Sequence, residues 1–321
     1  MKKCIVALLI VFINPSLWAQ HDFLAQPEST SSKSSSREIR INAQLLGTLL
    51  QPARSTDRLV IIIPGSGPTD RNGNKQLTRN DALKKLAEGL AQQGIASFRY
   101  DKKVLTLLEQ GILDEDSLRF EEFIENAVSS IRFFRTKNDY RHIYIIGHSQ
   151  GSLVGMVAAQ QTPVEGFISL AGAGQAIDKT ILSQIALQMP GLEESAQQAF
   201  NILKEKGQVK EYNPALESIL RPSVQGFMAS WMRYNPQEEI KKINTPILII
   251  GGTRDVQSSE KEFVQLQTAQ PDATHILIPD MNHVLRKIEG NDLENTKSYN
   301  EPNRPIMTAV VDHIARFITS N

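Results

Sequence analysis

The sequence predicts an α/β fold: a mostly parallel central sheet of about eight strands, helices on both faces, and a helical cap inserted between two of the later strands. Three observations predict it. Short, wholly apolar runs recur along the chain and stop at glycine or a polar residue, as parallel strands buried on both faces do. Segments with apolar residues at helical spacing lie between them, and strands that alternate with helices assemble into one parallel sheet. One interval, from 175 to about 243, interrupts the alternation with helical patterns alone.

At the amino terminus, Lys2 and Lys3 precede an apolar run from Cys4 to Ile13, which Asn14-Pro15 breaks. That is the layout of a cleavable export signal, and the run is about half of the roughly 20 apolar residues a membrane span needs. The expectation is a signal peptide over 1–19, cleaved after Ala19, leaving a periplasmic or secreted protein without a stable membrane anchor. Residues 20–36, which include Ser-Thr-Ser-Ser-Lys-Ser-Ser-Ser, read as a flexible Ser-rich lead, and the folded domain is expected over 37–321. Cys4 is the only cysteine, so the mature chain would carry no thiol for a disulfide, a nucleophile or a metal. Lys plus Arg and Asp plus Glu both number 35, and this balance leaves no dominant field to attract nucleic acid.

From Arg37 onward, Ile39, Ile41 and Leu45 to Leu50 suggest a hairpin or two short strands. Leu59 to Ile63 forms a buried strand that ends in the tight loop Pro64-Gly65-Ser66-Gly67-Pro68. Ile95 to Tyr100, Ile143 to Ile146, Gly166 to Leu170, Ile247 to Ile250 and His275 to Ile278 supply the remaining strands. Helices are expected over 79–93, 117–136, 149–161 and Ile306 to Ile318. The interval 175–243 returns straight into the same sheet, which favours an inserted cap over a second domain. Within it Phe227, Met228, Trp231 and Tyr234 recur at helical spacing; such a stripe is ordinarily core, and over a cleft it is also a candidate lining for an acyl pocket.

The chemistry centres on Gly147-His148-Ser149-Gln150-Gly151, which follows an apolar strand and opens a small-residue helix without a gap. A serine on a sharp strand-to-helix turn needs small neighbours two residues to either side, and the helix start aims positive potential at a developing oxyanion. Ser149 is therefore the candidate nucleophile. It needs a base, and of the six histidines His283 alone lies on a loop after the last strand and before the last helix, whereas His148 was expected to point elsewhere. Asp255, on the turn after the penultimate strand, is the candidate acid, and Asp280 is the alternative. The order Ser149, Asp255, His283 is the one this fold expects. Oxyanion donors are expected from the backbone N–H groups of Ser66 and Gln150.

Other motifs carry less. The Gly-rich loop at 64–68 lacks the spacing and lysine of a phosphate cradle. Asp70-Arg71-Asn72-Gly73-Asn74 fails as a calcium loop, because its sixth position is Lys75 and its twelfth is Asp81. Arg99-Tyr100-Asp101-Lys102 reads either as ion pairs bracing the site entrance or as a solvated charge cluster.

With Pro64 to Gly73, Arg99 to Lys102, Gly147 to Gly151, Gly252 to Asp255 and Met281 to Leu285 assembled, the chain resembles the α/β-hydrolase superfamily and, within it, the exported esterase and serine-aminopeptidase-like group. The resemblance implies a serine hydrolase, most of all a carboxylesterase, that acts on a small-molecule acyl ester through an acyl-enzyme and uses no cofactor. It departs from the group after Lys102, where Lys103-Val104-Leu105-Thr106 replaces a glycine-containing turn. An aminopeptidase, a thioesterase or an acyltransferase would run on the same residues, and a non-catalytic binder would keep the fold alone.

Overall fold

The computed structural model describes residues 34–321; the expected signal peptide over 1–19 and the lead as far as Lys33 lie outside the described residues. The chain runs β1 (Ser35–Asn42), β2 (Leu45–Gln51), β3 (Arg58–Ile63), α1 (Ala82–Gln92), β4 (Ala96–Tyr100), α2 (Lys103–Glu109), α3 (Glu121–Lys137), β5 (His142–His148), α4 (Gln150–Gln161) and β6 (Gly166–Leu170). It continues through α5 (Ile177–Gln188), α6 (Glu193–Lys206), α7 (Glu217–Leu220), α8 (Pro222–Trp231) and α9 (Pro236–Ile240). The last part is β7 (Ile247–Gly252), α10 (Glu260–Ala269), β8 (Thr274–Ile278), α11 (Asp292–Ser298) and α12 (Thr308–Ser320).

The eight strands form one sheet in the order β1-β2-β4-β3-β5-β6-β7-β8. Only β1 with β2 and β2 with β4 pair antiparallel; every later pair is parallel. This is the α/β-hydrolase architecture. The central strands are buried on both faces, which is why they read as unbroken apolar runs. One face packs under α3, α4 and α10 through Phe98, Ile145, Phe167 and Leu266, among others; the other packs under α1 and α12 through Leu86, Ile146, Val310 and Ile314.

Among the boundaries that differ from the sequence reading, two do so for clear local reasons. β1 begins at Ser35, inside the stretch read as a lead ending at 36, because Ser35 and Ser36 pair with Gln51 and Leu50 through the backbone, which asks nothing of the side chains. α1 begins at Ala82 rather than 79, because Asn74 Oδ1 accepts the N–H groups of Asn80 and Asp81, each at 2.9 Å, and holds them outside the helix. Helices α2, α10 and α11 have no counterpart in the sequence reading; α2 is only 7 residues long, too short for Val104, Leu105, Leu107 and Leu108 to establish a helical period.

Between β6 and β7, the helices α5 to α8 carry a cluster of their own that includes Ile181, Phe200, Leu203, Leu220 and Met228, whereas α9 joins the sheet core through Ile240. Trp231 docks this unit by stacking on Phe120, with ring centroids 5.6 Å apart and planes 2° from parallel. Phe227 meets Phe123 at 5.6 Å and Tyr234 meets Phe120 at 5.3 Å. The stripe is therefore core: Met228 belongs to the inner cluster, and the three aromatics join it to α3.

Candidate active site

Ser149 sits between the end of β5 and the start of α4, with φ 56° and ψ −124°. A non-glycine residue held there stores roughly 1–3 kcal/mol of backbone strain. Packing on both sides enforces it. Its N–H donates to the Leu170 carbonyl at 3.0 Å and its carbonyl accepts from Ser152 N–H at 2.9 Å. A Cβ on Gly147 would lie 2.2 Å from the Gly151 carbonyl oxygen, and one on Gly151 would lie 2.3 Å from that of Ile63. No side chain fits at either place, which is the spatial reason for glycine two residues to each side of the serine.

Asp255 and His283 arrive from the loops beyond β7 and β8. His283 Nδ1 and Asp255 Oδ2 are 2.8 Å apart, and both residues are buried. The other carboxylate oxygen of Asp255 accepts the N–H groups of Gln257 and Ser258, each at 2.8 Å, so the carboxylate is oriented from both ends. With Nδ1 committed to the acid, His283 has Nε2 left as its free ring nitrogen. Asp280, the alternative acid, lies at φ 59° and its N–H donates to Thr253 Oγ1 at 2.9 Å, while the histidine takes Asp255.

The two loops are pinned to each other and to the body. Arg254 N–H donates to the Met281 carbonyl at 2.9 Å. Asn282, fully buried, accepts the N–H of Arg286 at 2.9 Å and donates to Asn295 Oδ1 at 2.8 Å and Ser298 Oγ at 2.7 Å. Sequence reasoning had no role for Asn282, because two of its partners lie on the unpredicted helix α11.

His148 points away from the serine, as expected, and has a definite partner there: Nε2–H donates to the His283 carbonyl at 2.8 Å, and the two imidazole centroids are 4.9 Å apart. Burial, reinforced by the nearby His283, pushes its pKa from 6.5 down to about 3, so the ring is neutral with its proton on Nε2.

On the other side of the serine lies the loop after β3. A Cβ on Gly65 would lie 3.2 Å from Ser149 Cβ, so this loop packs directly on the serine. The Ser66 carbonyl accepts from Thr69 Oγ1 at 2.8 Å, whereas the Ser66 N–H meets no acceptor among the described residues. Gln150 is the first residue of α4, where a peptide N–H has no partner within the helix.

The Arg99–Lys102 stretch is neither solvated nor a simple ion-pair cluster. Arg71 Nε donates to Asp101 at 2.9 Å, Arg99 donates to Asn72 Oδ1 at 2.6 Å, and Lys102 is 4% exposed. Lys102 Nζ donates to the Gly65 carbonyl at 3.0 Å and to Gln150 Oε1 at 2.6 Å, and it lies 4.0 Å from the centroid of the Phe123 ring. Burial and the neighbouring Lys75 ammonium hold its pKa well below the ordinary lysine value. Asp70, read as a failed calcium loop, uses its carboxylate to accept the N–H groups of Asn72 and Asn74 at 2.8 Å each, a brace for the loop that leads into α1.

A family model described as "Serine aminopeptidase, S33" matches residues 79–287, a span that takes in Ser149, Asp255 and His283. Esterase EstD of Thermotoga maritima is 28% identical over 266 residues, which is 81% of this chain and 61% of that protein. Among solved structures, Est1E from Butyrivibrio proteoclasticus superposes with a TM-score of 0.57 at 17% identity, covering 89% of this chain and 99% of that one. A proline iminopeptidase from Mycobacterium smegmatis does so with a TM-score of 0.53 at 15% identity, covering 89% and 98%. These likenesses carry the fold.

Proposed function

The chain belongs to the serine aminopeptidase S33 family of α/β-hydrolases, and from that premise we propose that it is a serine carboxylesterase, exported behind a cleaved signal over 1–19. Ser149 attacks the ester carbonyl while His283 takes its proton; Asp255 holds the imidazole in the productive tautomer and stabilises the imidazolium. The peptide N–H groups of Ser66 and Gln150 hold the oxyanion. His283 then returns the proton to the departing alcohol, and water, deprotonated by the same imidazole, releases the acid and frees the serine. No cofactor enters.

The observation that carries this reading is the buried 2.8 Å contact between His283 Nδ1 and Asp255, presented on adjoining loops of the sheet that carries the strained Ser149 turn. The esterase activity of EstD belongs to a protein of which this chain spans 61%, and it supports the reading without extending to the substrate. An aminopeptidase would need a desolvated carboxylate in the cap to hold a free α-amine. Glu193, Glu194, Glu205, Glu211 and Glu217 are all exposed, and the buried carboxylates of the cap, Asp178 and Glu239, already pair with Lys204 and Lys242 at 3.5 and 2.8 Å, which favours an uncharged ester.

A fluorophosphonate is expected to label the protein at Ser149 by peptide mass, and Ser149→Ala to lower the turnover of p-nitrophenyl acetate roughly 10⁴-fold or more. An unlabelled protein, or a Ser149→Ala variant with full turnover, overturns the proposal. Faster cleavage of amino-acid anilides than of acyl esters would move it to the peptidases.

A further inference from the structure

Lys102 is buried against the Gly65 carbonyl and the Gln150 side chain beside Ser149, and the proton transfers above do not use it. Its Nζ is enclosed by the Gly65 carbonyl, the Gln150 side chain and the face of the Phe123 ring. The two acceptors each take an N–H of the lysine, and the aromatic face closes a further side.

The peptide that joins Gly65 to Ser66 carries the Gly65 carbonyl at one end and the Ser66 N–H at the other. In a trans peptide these two bonds point in opposite directions. A lysine that holds the carbonyl therefore turns the N–H to the far side of the peptide, where it meets no acceptor among the described residues. Drawing electron density toward the carbonyl oxygen also makes the N–H a stronger donor, because hydrogen bonds in a chain polarise one another. The second contact, at 2.6 Å, anchors Gln150, whose own peptide N–H opens α4.

From this geometry we infer that Lys102 is the positioning residue of the oxyanion hole: one buried side chain that orients and polarises the Ser66 donor and ties it to the Gln150 donor. The inference rests on the reading of those two N–H groups as the oxyanion donors. The lysine touches no reacting atom, and its effect falls on the tetrahedral oxygen, so it belongs to turnover rather than to substrate binding.

The test compares the full-length protein with its Lys102→Met, Lys102→Arg and Gln150→Ala variants. It reads kcat and KM on p-nitrophenyl acetate, and inhibition by a trifluoromethyl ketone, which adds to the serine as a charged tetrahedral mimic. In Lys102→Met, kcat is expected to fall roughly 10–100-fold with KM within about twofold, and the ketone to weaken by the same factor as kcat. Lys102→Arg keeps N–H donors for both acceptors and is expected to recover most of that loss. Gln150→Ala keeps its peptide N–H but loses the tether, and is expected to show a smaller loss in the same two quantities. A Lys102→Met enzyme with kcat within twofold of the wild type, or with reduced kcat and undiminished ketone affinity, overturns the inference. Should the methionine variant not fold, Gln150→Ala decides, and unchanged kcat and ketone affinity overturn it. Wild-type protein that neither cleaves the ester nor binds the ketone overturns the esterase reading itself and takes this inference with it.

Discussion

His148 precedes the serine by one residue, and its ring holds the backbone of the histidine that faces Asp255. Removing that donor leaves a buried carbonyl unpaired, at a cost of about 1–2 kcal/mol, and frees the His283 loop to move. His148→Phe is expected to lower kcat roughly tenfold, whereas His148→Gln, whose amide can donate to the same carbonyl, is expected to stay within about threefold; steady-state kinetics on p-nitrophenyl acetate checks both. The same ring sets an acid limit. Its folded pKa of about 3 lies below the ordinary 6.5, so as the pH drops below 6.5 the unfolded chain binds a proton that the folded protein refuses. The stability tied to His148 is therefore complete above pH 6.5, declines as the pH falls toward about 3, and changes no further below that. Urea unfolding between pH 7 and 4 should show a shallower decline in His148→Gln than in the wild type, by up to about 1.4 kcal/mol per pH unit. Equal slopes would mean that the imidazole titrates normally.

The element that fixes the serine is the β5–α4 turn, and it depends on what cannot be added to it. In an exposed helix, replacing glycine by alanine usually stabilises by about 1 kcal/mol. Gly151 should reverse that sign, since its Cβ would meet the Ile63 and Pro64 carbonyls at 2.3 and 2.7 Å. Gly151→Ala is expected to lower unfolding free energy by roughly 1–3 kcal/mol and to reduce turnover of p-nitrophenyl acetate through displacement of α4, read by denaturant titration alongside activity. A neutral or stabilising result would show that the strand and helix separate easily. At this scale the sequence was legible where the requirement is local: the Gly-x-Ser-x-Gly turn and the apolar central strands stand in the structure where they were read. Lys102 was not legible, because a lysine reads as surface, and its burial is set by partners 37 and 48 residues away. The partner of His148 was not legible for a related reason, since its acceptor lies 135 residues downstream. Helix α2 was not read, because 7 residues are too few to show a helical period.

At the scale of the molecule, two units share one chain. Helices α5 to α8 enclose their own cluster and meet the sheet domain through the Phe120, Phe227 and Trp231 stack. Their backbone amides are expected to exchange with deuterium at least ~10-fold faster than those of β3 and β5, because a separately packed unit can open without disturbing the sheet. Hydrogen-exchange mass spectrometry checks this, and uniform protection across both units would show one cooperative block. The strand order, with β4 reaching back beyond β3, was not to be read from periodicity, which reports each strand and not its neighbours. One consequence follows from the other end of that order. As the outermost strand, β1 presents an open row of hydrogen-bonding groups among the described residues, the kind of surface on which strands from other molecules can accrete. It also carries exposed Arg37, Glu38 and Arg40 along its length. A second copy approaching edge to edge would have to strip water from those charges, so the strand that closes one side of the sheet also guards the protein against aggregating into a longer one.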